Sequence, residues 1–294
     1  MIGRGIVTEV AHRSLNPLRI AFPLLRRVDF RGKARLASLV RVPTAGTRAI
    51  RFPGNVRVEV DLSEPLGRDY YRGVVDVFEL RLVRSVLGQW GGDFVDVGAH
   101  IGIYSIAALR AGADRVLAFE PLERSQSRLE RNLVLNGLQG GVTLFRGAAG
   151  AEAGTATLTV GNDPSWSTLG PLEGRYAMHA VAVAVSTVDA EVARLGLRPS
   201  MLKIDVEGGE LAVADGMAET LSEHRPVVLC EVDRASATAL AARMVGYDHF
   251  RIARGRLILD ARGGPTSGIY NAVFVPPGDA RSILALPTSD RAHT

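Results

Sequence analysis

Residues 94 to 109 pass without a break from an apolar strand, Phe94-Val95-Asp96-Val97, through the turn Gly98-Ala99-His100-Ile101-Gly102, into a helical pattern carried by Ile103, Ile106, Ala107 and Leu109. No other feature of the chain restricts its fold as much. A strand that feeds a helix across a glycine turn is the first part of a β-α-β unit, and such units build parallel sheets covered by helices on both faces. Glycines suit a backbone that turns sharply and comes close to a ligand, where a Cβ would be in the way. The helix start offers N–H groups to an anion such as a carboxylate.

The alternation continues along the chain. Short apolar strands are expected at 116–119, 142–145, 201–204 and 227–230, most of them separated by helical patterns. Ahead of them, residues 74–88 read as an amphipathic helix ending near Gly88. Two stretches depart from the pattern: residues 154–189 predict an antiparallel insertion, and 250–253 with 271–275 predict a terminal antiparallel pair. Val56, Val58 and Val60 alternate with Arg57, Glu59 and Asp61, which predicts a small sheet or hairpin before the main domain. The expected organisation is a basic extension over 1–70, with short helices and a small β element, a doubly wound α/β domain over 71–278 and a peripheral tail over 279–294.

Composition narrows the setting. A chain of 294 residues, 47% apolar and 22% charged, can bury a sizeable core. Its one cysteine, Cys230, lies inside an apolar run, so neither a disulfide framework nor a cysteine metal cluster can be built, which suits a reducing cytoplasm. No apolar run approaches the roughly 18 to 20 residues needed to span a bilayer, and the start lacks a signal peptide's layout; a cytoplasmic location is expected. The net charge of +4 hides an asymmetry: residues 1–51 hold eleven basic and two acidic residues. Such an arm can make weak contact with a membrane surface or with nucleic acid.

The spacing of the glycines selects among nucleotide-like ligands. Gly98 and Gly102 form Gly-x-x-x-Gly, whereas a dinucleotide fingerprint needs Gly-x-Gly-x-x-Gly, so nicotinamide and flavin cofactors are disfavoured. The second strand ends in Phe119-Glu120-Pro121, 24 residues after Asp96, and an acid there is placed to accept hydrogen bonds from two ribose hydroxyls.

Together these segments resemble the FkbM family of S-adenosylmethionine-dependent methyltransferases over about residues 70–275. The resemblance rests on 94–102, on Ala118-Phe119-Glu120-Pro121, on Leu129 with Asn132 and Asn136-Gly137, on the specific string Leu202-Lys203-Ile204-Asp205-Val206-Glu207-Gly208-Gly209-Glu210, and on 226–231 and 271–276. It implies a Rossmann-like class I methyltransferase fold, a seven-stranded, mostly parallel sheet whose last strand is antiparallel. It implies S-adenosylmethionine as donor, with S-adenosylhomocysteine as product. One departure is His100, where similar proteins usually carry Asn. The expected donor contacts are Glu79, Asp96, Gly98, His100, Gly102, Glu120, Pro121, Ala148 and Asp205.

Methyl transfer from a sulfonium is an in-line displacement, so much of the task is holding the acceptor atom in line. Asp205 and Glu207 follow the fourth parallel strand at the donor's sheet edge, and with Lys203 they form the expected catalytic set, Asp205 leading as positioning group or base. The competing reading is that Lys203 pairs with Asp205, Glu207 or Glu231 merely to hold the edge together. Recruitment of a divalent cation by these acids is left open. Trp166, in the polar loop 161–176, and His179 are the expected acceptor contacts. The resemblance implies a hydroxyl on a sugar, glycolipid or secondary metabolite as acceptor, a small molecule or glycan rather than nucleic acid. Two alternatives stand beside it: a nucleic-acid methyltransferase using the basic arm, opposed by the absence of an Asn-Pro-Pro-Tyr motif and by only 6% aromatic residues, and a non-catalytic donor-binding scaffold.

Overall fold

A computed structural model describes residues 41–73, 77–161, 177–253, 256–260 and 268–279. The basic arm up to residue 40, Trp166 and the tail beyond 279 lie outside the described residues.

The first described element is a hairpin of β1 (Thr47–Phe52) and β2 (Val56–Asp61), in which Val56, Val58 and Val60 are buried as their alternation predicts. Two helices follow, α1 (Pro65–Arg72) and α2 (Val77–Trp90). Helix α2 runs past Gly88 to Trp90: a glycine within a helix costs only about 1 kcal/mol, and the buried face from Val77 to Leu87 outweighs it.

The alternating part then unfolds in order: β3 (Asp93–Val97), α3 (Ile103–Ala111), β4 (Val116–Phe119), α4 (Glu123–Asn136) and β5 (Val142–Phe145). A three-stranded insertion comes next, β6 (Ala148–Ala149), β7 (Gly154–Gly161) and β8 (Ala177–Ser186), with β7 and β8 antiparallel as expected. The chain closes with α5 (Val188–Leu195), β9 (Pro199–Ile204), α6 (Glu210–Asp215), α7 (Ala218–His224), β10 (Val227–Asp233), α8 (Arg234–Arg243), β11 (Asp248–Ala253), β12 (Arg256–Leu259) and β13 (Ile269–Val275).

Eight of these strands form one sheet in the order β12-β11-β13-β10-β9-β3-β4-β5. The pairings of β3 with β4 and β9, of β4 with β5, and of β9 with β10 are parallel, whereas β13 is antiparallel to both β10 and β11. This is the doubly wound arrangement with an antiparallel last strand. Strand β12 extends it by one, from a stretch whose turn-rich sequence hid a strand.

Every residue of β3 is buried, as befits a central strand covered on both faces. Its alternation divides the core in two. Phe94 packs with Met201, Val227 and Val273 on one face, while Val95 and Val97 pack with Leu202, Ile204 and Val228 on the other. Ile50, Phe52, Val56, Val58 and Val60 of the hairpin belong to the first of these clusters. The hairpin, expected as the small β element of the extension, thus shares this cluster with the sheet. Because β3, β4, β9 and β10 run parallel, their carboxyl ends share one edge, the usual ligand edge of open α/β sheets.

Candidate functional site

The glycine turn lies across the end of β4. The amides of Gly98 and Ala99 both donate to the Phe119 carbonyl at 3.0 Å, and that of Gly102 donates to Ala99 at 2.8 Å. Beside them, Glu120 is buried at 5% exposure. Its Oε2 accepts from the His100 amide at 2.8 Å and its Oε1 from the Leu122 amide at 2.9 Å. Burial pushes the Glu120 carboxyl up to about 7, against the lowering effect of those amides and of Lys203. The carboxylate and the turn thus meet directly. The amides of Gly98, Ala99, His100 and Gly102 are all engaged by acceptors within the chain, and the helix start expected to face a carboxylate begins beyond them, at Ile103.

The glycines also answer to packing within the chain itself. Gly98 has φ +80°, and a Cβ there would stand 1.9 Å from the Asp205 carbonyl oxygen. Gly102 has φ +84°, and its Cβ would meet the Leu129 side chain at 2.9 Å. Close packing of the turn on β9 and α4 demands glycine whether or not a ligand comes near. His100 has φ +50°. Asn, Asp and His tolerate that left-handed region better than most residues, which accounts for an imidazole at a position where Asn is usual.

Asp96, fully buried in β3, accepts from Ser105 Oγ at 2.6 Å through Oδ2, while Oδ1 has no hydrogen-bond partner among the described residues. Burial raises its pKa, opposed by Lys203 and by Ser105. Lys203 lies next to Asp96 across the β3–β9 pairing and is itself 6% exposed. Its Nζ reaches Asp205 Oδ2 at 3.1 Å and the Gly98 carbonyl at 3.3 Å, and it stands 4.8 Å from the centre of the Tyr104 ring. So held, Lys203 has the geometry of a positioning group that ties the turn to the end of β9, rather than of a group that reacts.

Asp205, Glu207 and Glu231 bring carboxylate oxygens within 4.8 Å of one another. Asp205 and Glu231 share a hydrogen bond. Burial works to raise Asp205, but Lys203, Glu231 and His100 hold it below the ordinary carboxylate range. Burial and the charges of Asp205 and Glu207 push Glu231 up to about 8, so this pair carries one proton near neutral pH. Glu207 adopts φ +51°, a strained backbone for a glutamate. Glu210, the last residue of the specific string, is 5% exposed and accepts from the Gly208 amide at 2.8 Å, which closes the loop that presents the acids.

The remaining expected residues are scattered around this edge. Glu79 accepts from Asn271 Nδ2 at 2.9 Å, and Asn271 pairs with Glu231 across β10 and β13. Ala148 is buried with Leu158, Val160 and Val183, and this cluster packs on Leu122, one residue beyond Pro121. His179, an expected acceptor contact, pairs with Val160 at the outer part of β8 and is exposed. Glu231 and Ser105 were not among the expected site residues. Glu231 did carry a signal, since it ends an apolar strand in an acid just as Glu120 does.

Residues 96–251 match the model of the methyltransferase FkbM domain. A curated relative, methyltransferase sdnD of Sordaria araneosa, is 35% identical over 165 residues, a match covering 46% of this chain and 62% of that relative. Among solved structures, methyltransferase FkbM from Methylobacillus flagellatus KT is 14% identical with a TM-score of 0.42, covering 88% of this chain and 59% of that one. An S-adenosylmethionine-dependent methyltransferase from Agrobacterium tumefaciens is 12% identical with a TM-score of 0.46, covering 81% and 72%.

Proposed function

This chain belongs to the FkbM methyltransferase family, and from that premise we propose that it moves a methyl group from S-adenosylmethionine to a hydroxyl of a sugar, glycolipid or secondary metabolite. One observation carries the donor half: the Glu120 carboxylate, buried and fixed by the amides of His100 and Leu122, stands at the carboxyl end of β4 against the glycine turn. Each of its oxygens has a second lone pair, so it has room to accept from vicinal ribose hydroxyls. The acids gathered at this edge, Asp96, Glu120, Asp205, Glu207 and Glu231, suit a ligand that carries positive charge on its sulfonium and ammonium groups.

When bound, the donor supplies an activated methyl group. Glu120 would hold the ribose, and the segment from Pro121 with Ala148 would line the adenine side. Asp205, anchored by Lys203, would accept a hydrogen bond from the acceptor hydroxyl and aim its oxygen. A carboxyl held below its ordinary range is a weak base, so orientation is its first task; it takes the proton as the oxygen–methyl bond forms and the hydroxyl becomes strongly acidic.

Calorimetry with S-adenosylmethionine, paired with transfer of labelled methyl to glycan and polyketide acceptors, tests both halves. Micromolar binding and label on a hydroxyl are expected. No binding would remove the donor reading, and label confined to amines or nucleic acid would remove the hydroxyl reading. Asp205→Asn is expected to keep donor affinity within about twofold and to lose about 10²-fold or more in turnover; an equal loss in both would place Asp205 in donor binding instead.

A further inference from the structure

Asn132 and Asn136, one turn apart on α4, face β2. The Asn136 amide acts as a missing neighbour strand: its Oδ1 accepts from the Arg57 N–H at 3.1 Å and its Nδ2 donates to the Arg57 carbonyl at 2.6 Å. Asn132 is used differently. Its Oδ1 accepts from the Glu59 N–H at 2.7 Å, while its Nδ2 donates to the Ile101 carbonyl at 2.9 Å, inside the glycine turn. Asn132 is 1% exposed; its bond to Ile101 is buried and its bond to Glu59 partly buried, so the Ile101 carbonyl in particular has no ready solvent substitute.

An asparagine amide has two nearly isosteric orientations. The Glu59 N–H selects one of them, because it must face an oxygen, and that choice leaves the NH2 group facing Ile101. Flipped, Asn132 would set its oxygen against the Ile101 carbonyl and its NH2 against the Glu59 N–H. The hairpin therefore decides what Asn132 offers to the turn.

We propose that Asn132 is a positioning residue through which the docked β1–β2 hairpin sets the conformation of the turn 98–102, and so the affinity for the donor. This inference rests on the reading of that turn as part of the donor site. The hairpin has other anchors: Arg128 pairs with Asp61 at 2.6 Å and also with Glu64, and Arg57 Nη2 donates to the Leu135 carbonyl at 2.6 Å. A change at one asparagine thus leaves it docked.

Three variants separate this role from simple support. Asn132→Asp keeps the acceptor for Glu59 but opposes a carboxylate oxygen to Ile101. Asn136→Ala cuts only the bonds of the hairpin and of its own helix. Asn132→Ala, which buries no charge, serves if the aspartate fails to fold. Donor affinity is expected to fall about tenfold in either Asn132 variant, the size of one lost buried hydrogen bond, and to stay within about twofold in Asn136→Ala. Hydrogen exchange without donor should quicken at 99–103 in the Asn132 variants and at Arg57 in Asn136→Ala. Equal losses of affinity in all three, tracking their melting temperatures, would overturn the proposal. So would unchanged exchange at 99–103 in both Asn132 variants, a result that is readable whether or not the protein binds donor. Failure of the unaltered protein to bind S-adenosylmethionine, with the exchange pattern as expected, would instead overturn the donor-site reading.

Discussion

Two aspartates three residues apart on β3 show how differently the sheet's two edges are built. Asp93 and Asp96 are both buried, at 3% and 0% exposure. Asp93, at the start of the strand, is grasped by Arg115, whose Nε and Nη2 donate at 3.0 and 2.8 Å, and by the Arg198 amide at 2.6 Å. The same guanidinium reaches the carbonyls of Leu195 and Gly196. Asp96 has Ser105 on one oxygen and no partner among the described residues on the other. Around it gather two left-handed non-glycine residues, His100 and Glu207, and a pair of carboxyl groups sharing a proton. One edge spends its polar groups on cohesion, and the other leaves an acid short of partners; left-handed backbone does not separate them, since Arg225 just before β10 has φ +49°. Such imbalance fits the proposal that this edge receives the donor.

The largest expected effect falls where that edge is most tightly packed. Gly98→Ala combines a forbidding φ with a collision against the Asp205 carbonyl, and is expected to cost more than about 4 kcal/mol, since backbone cannot move aside as a side chain can. Urea unfolding, or recovery of soluble protein, reads this directly. Next comes the direct contrast. Asp93→Ala removes a buried acceptor from a half-exposed arginine and a backbone amide, and should cost about 2–3 kcal/mol of stability with donor affinity unchanged. Asp96→Asn, nearly isosteric and already short of partners, should change stability by less than about 1 kcal/mol yet weaken donor binding or turnover. If Asp93→Ala impaired donor binding as much as Asp96→Asn, the division between the edges would fail.

That division was partly legible in the sequence. Local periodicity writes the elements, so the turn at 98–102, the parallel strands, the inserted hairpin and the antiparallel close of the sheet could be read from neighbouring residues. Glu120 could be read too, because its place depends only on where a strand ends. What was hidden depends on contacts between distant residues. Asn132 bonds to Glu59, 73 positions away, and Lys203 to Gly98, 105 positions away. Nothing near 132 in the sequence says that a polar residue on the buried face of α4 serves two backbones at once. The demand for glycine at 98 comes also from the Asp205 backbone, which the chain supplies a hundred residues later.

A smaller effect follows from the proton shared at the reactive edge. Glu231, raised to about 8 from the ordinary 4.5, keeps in the folded protein a proton that the unfolded chain gives up near 4.5. Stability should therefore fall as pH rises between those values and level off above about 8. Asp205, held low, works in the opposite sense, contributing above its ordinary range and losing that contribution in acid. Glu231→Gln should flatten the decline, on the order of 1–2 kcal/mol at the alkaline end because partial exposure screens part of the effect. Melting curves taken across this range would show it, and a slope unchanged by the substitution would place the shared proton elsewhere.

The smallest effect is also the most specific to the donor. Glu120, pushed up to about 7 by burial, titrates in the neutral range in the free protein. Ribose hydroxyls that donate to its carboxylate favour the charged form, so binding must lower its pKa and release a fraction of a proton per site near pH 7. Donor affinity should then fall as pH drops below about 7 and flatten in mild alkali. Calorimetry in two buffers of different ionisation heat counts the proton, and Glu120→Gln should abolish the count while Asp93→Asn, at the cohesive edge, leaves it intact. Proton uptake in place of release would mean that a neutral carboxyl greets the ligand by donating a hydrogen bond, which a pair of ribose hydroxyls can accept but an amide-fixed, two-oxygen acceptor such as Glu120 has no reason to prefer.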